Sequence, residues 1–210
     1  MRITKKSNQI LAILEENYKD STTALTYSSP FELLIAVILS AQCTDIRVNI
    51  ITARLFPAYN RPDKILEIGQ IGLEEQIRDC GLFHSKARNI IATCELLCRE
   101  YQGEVPSTFD ELIKLPGVGR KTANVLLSQL FGVPAIAVDT HVFRVANRLG
   151  LAKGDTPLAV EQGLMKIVPR RQWSDAHHWL IWHGRKVCKA RQPACGLCPL
   201  APLCPSKNIA

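Results

Sequence analysis

Apolar residues recur at helical spacing from one end of this 210-residue chain to the other, and strand signals are nearly absent. Ile10, Leu11, Ile13, Leu14 and Tyr18 mark a first amphipathic helix. Ser29-Pro30-Phe31-Glu32 reads as an N-cap followed by proline at the first helical position, opening an apolar helix to Gln42. Thr44 or Asp45 caps the next, which runs through Ile46, Ile50 and Leu55. Pro62 opens a short helix to Ile68, and another spans about 73–79. After a turn at Gly81-Leu82 a longer helix carries Ile90, Ile91, Cys94, Leu97, Cys98 and Tyr101 on one face. Cys94 and Cys98 are thus expected to be small buried hydrophobes, and Cys43 and Cys80 likewise. Asp139 precedes a helix that Gly150 ends, Thr156-Pro157 opens one more, and Ser174 is expected to cap the last, to about Lys186. Trp173, Trp179 and Trp182 are expected to pack in the core. The class these signals imply is all-α.

One stretch stands apart, Leu115-Pro116-Gly117-Val118-Gly119-Arg120-Lys121-Thr122. It reads as a hairpin between a helix over 108–114 and another over 121–131. Pro116 and Gly117 stop the first helix, and Gly119 lets the backbone approach a neighbour closely. Gly-Val-Gly before a helix offers free backbone N–H groups, which suit a phosphate. Lys121 then lies where the helix macrodipole prefers an anion. Two readings stay open: a phosphate contact, shared with Arg120, or a nucleophile. A nucleophilic amine must shed its proton. The dipole supplies roughly 0.3–1 kcal/mol, against ~1.4 kcal/mol for one pKa unit, so desolvation and cationic neighbours would have to do most of that work. A weak echo, Gly81-Leu82-Phe83 with Ala87, parallels Gly117-Val118-Gly119 with Ala123 and suggests two related hairpins.

Charge narrows the partner. The chain carries a net +7. Beyond Asp175 come Arg185, Lys186, Lys189, Arg191 and Lys207 and no acid, a one-sign patch that points to a polyanion, nucleic acid before others. The longest apolar run, Leu33 to Leu39, is far too short for a membrane span, and no signal core follows the basic start, so a cytosolic, cytoplasmic protein with no membrane partner is expected.

The last four cysteines, Cys188, Cys195, Cys198 and Cys204, follow the spacing C-x6-C-x2-C-x5-C, with Pro193, Pro199, Pro202 and Pro205 among and after them. Such a segment forms no long helix and buries little apolar surface. Disulfides do not suit a cytosolic chain with other free cysteines. Four thiolates around a metal do. Zinc sites usually pair two short knuckles; here only one C-x2-C exists, which tilts the reading toward an iron–sulfur cluster. Lys189 and Arg191 lie in the x6 loop, where a cluster could fix a basic loop against a phosphate backbone.

The hairpin, Lys121, Asp139 and the cysteine tail together resemble the endonuclease III family of helix–hairpin–helix DNA glycosylases. Leu39-Ser40-Ala41-Gln42 with Thr44-Asp45, and Gly81-Leu82 with Ser85-Lys86-Ala87, add to the match, which covers nearly the whole chain. The resemblance implies a two-lobed all-α fold. One lobe, residues 23–133, would be a six-helix barrel with the helix–hairpin–helix at about 109–131. The other would join residues 1–22 to 134–210 and carry a [4Fe–4S] cluster on Cys188, Cys195, Cys198 and Cys204, with the active cleft between the lobes. The implied activity is a DNA glycosylase for oxidised pyrimidines that also cleaves the abasic strand, working as a monomer on double-stranded DNA.

By that resemblance a damaged base is flipped out of the duplex, costing a few kcal/mol. Leu82 would wedge into the stack and Gln42 enter the vacated space. Gly117, Gly119, Arg120, Lys189 and Arg191 would contact DNA. Lys121 would attack the sugar and form a Schiff base, and Asp139 would assist as a carboxylate or cap the following helix, or both. A carboxylate close to Lys121 favours the ammonium form, so Asp139 must lie farther off or take the lysine's proton. Cys43 and His84 lie in motif neighbourhoods where variation is expected, and bear on substrate preference. A monofunctional adenine-mismatch relative lacks a lysine at this position, and a binding-only module leaves Lys121 and Asp139 unexplained.

Overall fold

The computed structural model describes residues 4–207. Among these there are ten α-helices, three short 3-10 turns and no strands. In chain order the helices are α1 (Lys5–Tyr18), α2 (Pro30–Leu39), α3 (Asp45–Leu55), α4 (Pro62–Ile77), α5 (Phe83–Glu100), α6 (Phe109–Leu112), α7 (Arg120–Phe131), α8 (Thr140–Leu149), α9 (Pro157–Ile167) and α10 (Trp173–Lys186). No helix of the described residues is long and apolar enough to cross a membrane.

The chain divides into two compact units. Residues Ala24–Phe131 form one, made of α2 to α7. Its core is built around α2, whose residues from Phe31 to Leu39 are all buried. A helix apolar on every side belongs inside a core. Ser29 starts it, accepting a hydrogen bond from Glu32 N at 3.1 Å, and Pro30 occupies the first helical position. Ile51, Leu55, Ile65, Leu73, Ile77, Ile90, Leu97, Leu112 and Leu126 surround it from the other helices.

The other unit comprises the residues up to Thr23 and those from Gly132 onward. Its separate core joins Ile10, Leu11 and Leu14 of α1 to Val142, Val145 and Leu149 of α8, Val160 and Leu164 of α9, and Trp179 and Leu180 of α10. Gly150, with φ at 69°, ends α8 in the left-handed conformation that glycine adopts without strain.

Several expectations need correcting. α2 stops at Leu39 because Gln42 takes a φ of 53°, which no helix continues through. The two expected short helices are both present as the two parts of α4, one on each side of Gly69, whose backbone is non-helical (φ 64°, ψ −177°). α6 is shorter than the 108–114 expected; i→i−3 bonds tighten the chain from Lys114 to Leu115. α10 starts at Trp173, so Ser174 lies inside it and does not cap it. Cys94 and Cys80 are buried, but Cys98 is exposed and Cys43 is half-buried. Trp179 is in the core, whereas Trp173 and Trp182 are only partly buried. Their indole N–H groups reach the carbonyls of Val168 (3.0 Å) and Thr22 (3.1 Å).

The fold predicts a cavity-type loss on shortening α2. Ile35→Ala is expected to cost roughly 2–5 kcal/mol in urea unfolding; a loss below about 1 kcal/mol would contradict the burial of this helix.

Candidate nucleic-acid interface and cysteine centre

The hairpin is assembled from a few apolar anchors. Leu115 and Val118 are buried, and Val118 N donates to Leu115 O at 3.0 Å. Thr93 of α5, itself buried, donates its hydroxyl to Pro116 O at 2.8 Å. These contacts leave Gly117, Gly119, Arg120 and Lys121 exposed. The two glycines differ. Gly117 has φ at 83°, and a side chain there would meet Asn89 Cβ at 3.1 Å, so it is needed by the protein itself. A Cβ at Gly119 would meet nothing within 4 Å, so its backbone faces open space.

α7 begins beside that open face, with Arg120 and Lys121 and no acid in its first turn. Arg120 stacks over the Phe109 ring, 5.0 Å from its centre, which ties α6 to α7. Two cations at the positive end of a helix dipole disfavour each other, and an anion seated there would relieve both.

In the same unit, Gln42 and Leu82 are each exposed and each left-handed, at φ 53° and φ 60°. Left-handed backbone costs a non-glycine residue about 1–2 kcal/mol, and such outliers persist where surroundings hold them. Leu82 is 58% exposed, an unusual place for a leucine. The two turns lie against each other: a side chain at Gly81 would touch Gln42 O at 3.5 Å.

Asp139 belongs to the other unit, where it caps α8. Its Oδ1 accepts from Val142 N at 2.7 Å, which fixes the side chain's orientation. Burial lowers the pKa of His141 two residues on, with Asp139 pulling the other way.

The four tail cysteines line one cavity, together with Leu149, His183, Val187, Pro193, Ala194 and Ala201 among others. Four thiols lining one cavity are a donor set of the kind that holds an iron–sulfur cluster. Burial, then the neighbouring cysteines, push the Cys198 and Cys204 thiols up.

Residues that sequence reasoning missed hold this loop. Arg148 Nη1 donates to Lys189 O (2.7 Å) and lies 3.6 Å from Cys188 Sγ, and its Nη2 donates to Ala190 O (3.0 Å). Arg144, one turn earlier on α8, donates to Cys188 O (2.9 Å) and Gly184 O (2.9 Å). The one available signal was their i,i+4 spacing, opposite the apolar face of α8. Lys189 and Arg191 thereby project from an anchored loop, and both are exposed. His183 is fully buried, and burial holds its ring near a pKa of about 4. The ring is therefore neutral. Its Nδ1 lies 3.1 Å from Tyr18 Oη and its Nε2 lies 3.6 Å from Cys198 Sγ, so the ring bridges α1 and the cysteine loop.

Comparison with known proteins places these features. Residues 35–170 match the HhH-GPD superfamily of base excision DNA repair proteins, and residues 188–204 match the iron–sulfur binding domain of endonuclease III. The chain is 57% identical to an endonuclease III of Rickettsia conorii over 94% of each chain. It is 53% identical to endonuclease III of Escherichia coli K12 over 97% of this chain and 96% of that one. A solved structure of a trapped endonuclease III–DNA covalent intermediate, an estranged-adenine complex, superposes with a TM-score of 0.92 at 51% identity, over 96% of both chains.

Gly117→Ala is expected to lower the melting temperature by roughly 2–6 °C, and Gly119→Ala to leave it unchanged; equal losses would contradict the different surroundings of the two glycines. Arg148→Met, which frees two carbonyls of the cysteine loop, should destabilise that unit and speed loss of its metal to a chelator, followed by visible absorbance. Unchanged loss kinetics would show that the arginine does not anchor the loop.

Proposed function

The chain belongs to the HhH-GPD superfamily of base excision DNA repair proteins, and from that premise we infer that it removes oxidised pyrimidines from duplex DNA and then cuts the abasic strand by β-elimination. The observation that carries this reading is the start of α7: an exposed Lys121 beside Arg120, an open Gly119 backbone, and no acid in the turn. A binding module needs the anion site but gives the lysine no task.

In the proposed reaction the damaged base leaves the stack first. Leu82 fills the stack as a wedge and Gln42 takes the vacated space. Lys121 Nζ bonds the anomeric carbon as that carbon's bond to the base breaks, and the base departs with the electron pair and a proton. Loss of the amine proton and opening of the sugar ring give an imine. The imine acidifies the adjacent carbon, and removal of its proton expels the 3′ phosphate. Water then frees the lysine. Lys121 is exposed in the protein alone, so bound DNA would supply the desolvation that favours a neutral amine. Asp139 would stabilise positive charge growing on the sugar or carry protons, its carboxylate already oriented by the α8 cap.

The cofactor is a [4Fe–4S] cluster, and we assign its ligands to Cys188, Cys195, Cys198 and Cys204. Bound there it would cross-link a segment that has little core of its own. Arg144 and Arg148 hold the surrounding carbonyls, and Lys189 and Arg191 meet phosphates. We further propose that residues 23–133 act as the barrel domain and 1–22 with 134–210 as the cluster domain. The relatives are bacterial, and we place this chain likewise in the cytoplasm with the chromosome, acting as a monomer.

Borohydride trapping on a duplex containing thymine glycol tests the reading. A covalent adduct is expected with the wild type and none with Lys121→Ala; no adduct with either would move Lys121 to a phosphate contact. Gly119→Ala, which the fold tolerates, should weaken DNA binding, and the wild-type affinity should fall steeply with salt. A flat salt dependence would remove the basic surfaces from the interface.

A further inference from the structure

Lys86, on the first turns of α5, is buried, with 4% of its surface exposed. A lysine is almost never that buried without a task. Its Nζ donates to Leu39 O at 2.8 Å and to Cys80 Sγ at 3.0 Å. Leu39 is the last residue of α2, where helix carbonyls lack helical partners and the dipole is negative. Cys80 Sγ reaches the same carbonyl at 3.3 Å. Through its backbone, Lys86 N also donates to Leu82 O at 3.1 Å. One residue is therefore bonded to both sides of a seam. On one side the chain leaves α2 and turns at Gln42. On the other it passes Cys80 and turns at Leu82. Both turns are left-handed, exposed and in contact with each other.

We propose that Lys86 is a positioning residue for base extrusion: its buried amine ties the end of α2 to the Cys80–Leu82 turn, so that Gln42 and Leu82 meet the duplex as one preset pair. The physical reason is preorganisation. Two strained turns on separate connections would each relax when free, and ordering them during binding would weaken the insertion. A shared buried donor makes their geometry a property of the core. This rests on the reading above that Leu82 and Gln42 enter the stack.

The test compares two duplexes carrying thymine glycol, one with adenine opposite and one with an abasic analogue opposite. Extrusion costs less where the lesion has no partner. Lys86→Met keeps the length of the side chain and loses the donor; Lys86→Gln keeps a shorter neutral donor and carries the comparison if the first variant does not fold. Single-turnover cleavage by Lys86→Met is expected to fall roughly ten- to hundredfold on the paired lesion, the scale of a misplaced contact, and less than about threefold on the unpaired one. Equal losses on both duplexes, or no loss on the paired one, would overturn the positioning role while leaving the activity in place. Wild-type protein that cleaves neither duplex would overturn the activity, and the positioning role with it.

Discussion

The burial of α2 on all sides is the constraint from which the rest of its unit follows. A helix with Phe31 to Leu39 inside the core has one position and one rotation available to it. Its C-terminal carbonyls therefore end at a fixed place, and something must satisfy them there. Ser40 bonds back to Ala36 and Val37, and Leu39 receives Lys86 and Cys80 from a segment some forty residues on. The exposed turns at Gln42 and Leu82 are consequences of that closure, since each is a short distance along the chain from an atom bonded to Leu39.

The hairpin follows a different logic. Apolar anchors at Leu115 and Val118, with the Thr93 hydroxyl on Pro116, hold a loop whose outer side is left polar and open. The helix that begins there carries positive charge at its positive end. The helix dipole disfavours cations there, and an anion seated at that end would offset it. The cysteine tail is likewise incomplete by itself. It brings few apolar side chains, and it is fastened by Arg144 and Arg148 from α8. Positively charged groups thus hold the loop's carbonyls inside while Lys189 and Arg191 face outward.

Helix starts were legible because caps are local. Ser29, Thr44, Thr108, Asp139 and Thr156 each accept a hydrogen bond from an N–H three residues ahead. The errors arose where local signals were ambiguous. Ser174 is a good cap residue, but the chain had already turned helical at Trp173. Cys98 shares a face with Cys94 by spacing, yet it sits at the exposed edge of that face near the end of α5.

By itself the sequence determined the helical class, the capped starts, the Gly-Val-Gly turn before two cations and the four-thiol tail, because each depends on residues close together in the chain. Tertiary structure alone decided that Lys86 is buried against Leu39, 47 positions away, and that Arg148 grips Ala190, 42 positions away. It also decided that Gln42 and Leu82 adopt left-handed backbone side by side. A lysine is a surface residue and a glutamine a helix former until a distant carbonyl or a packed neighbour says otherwise, and no local pattern records which distant group that is.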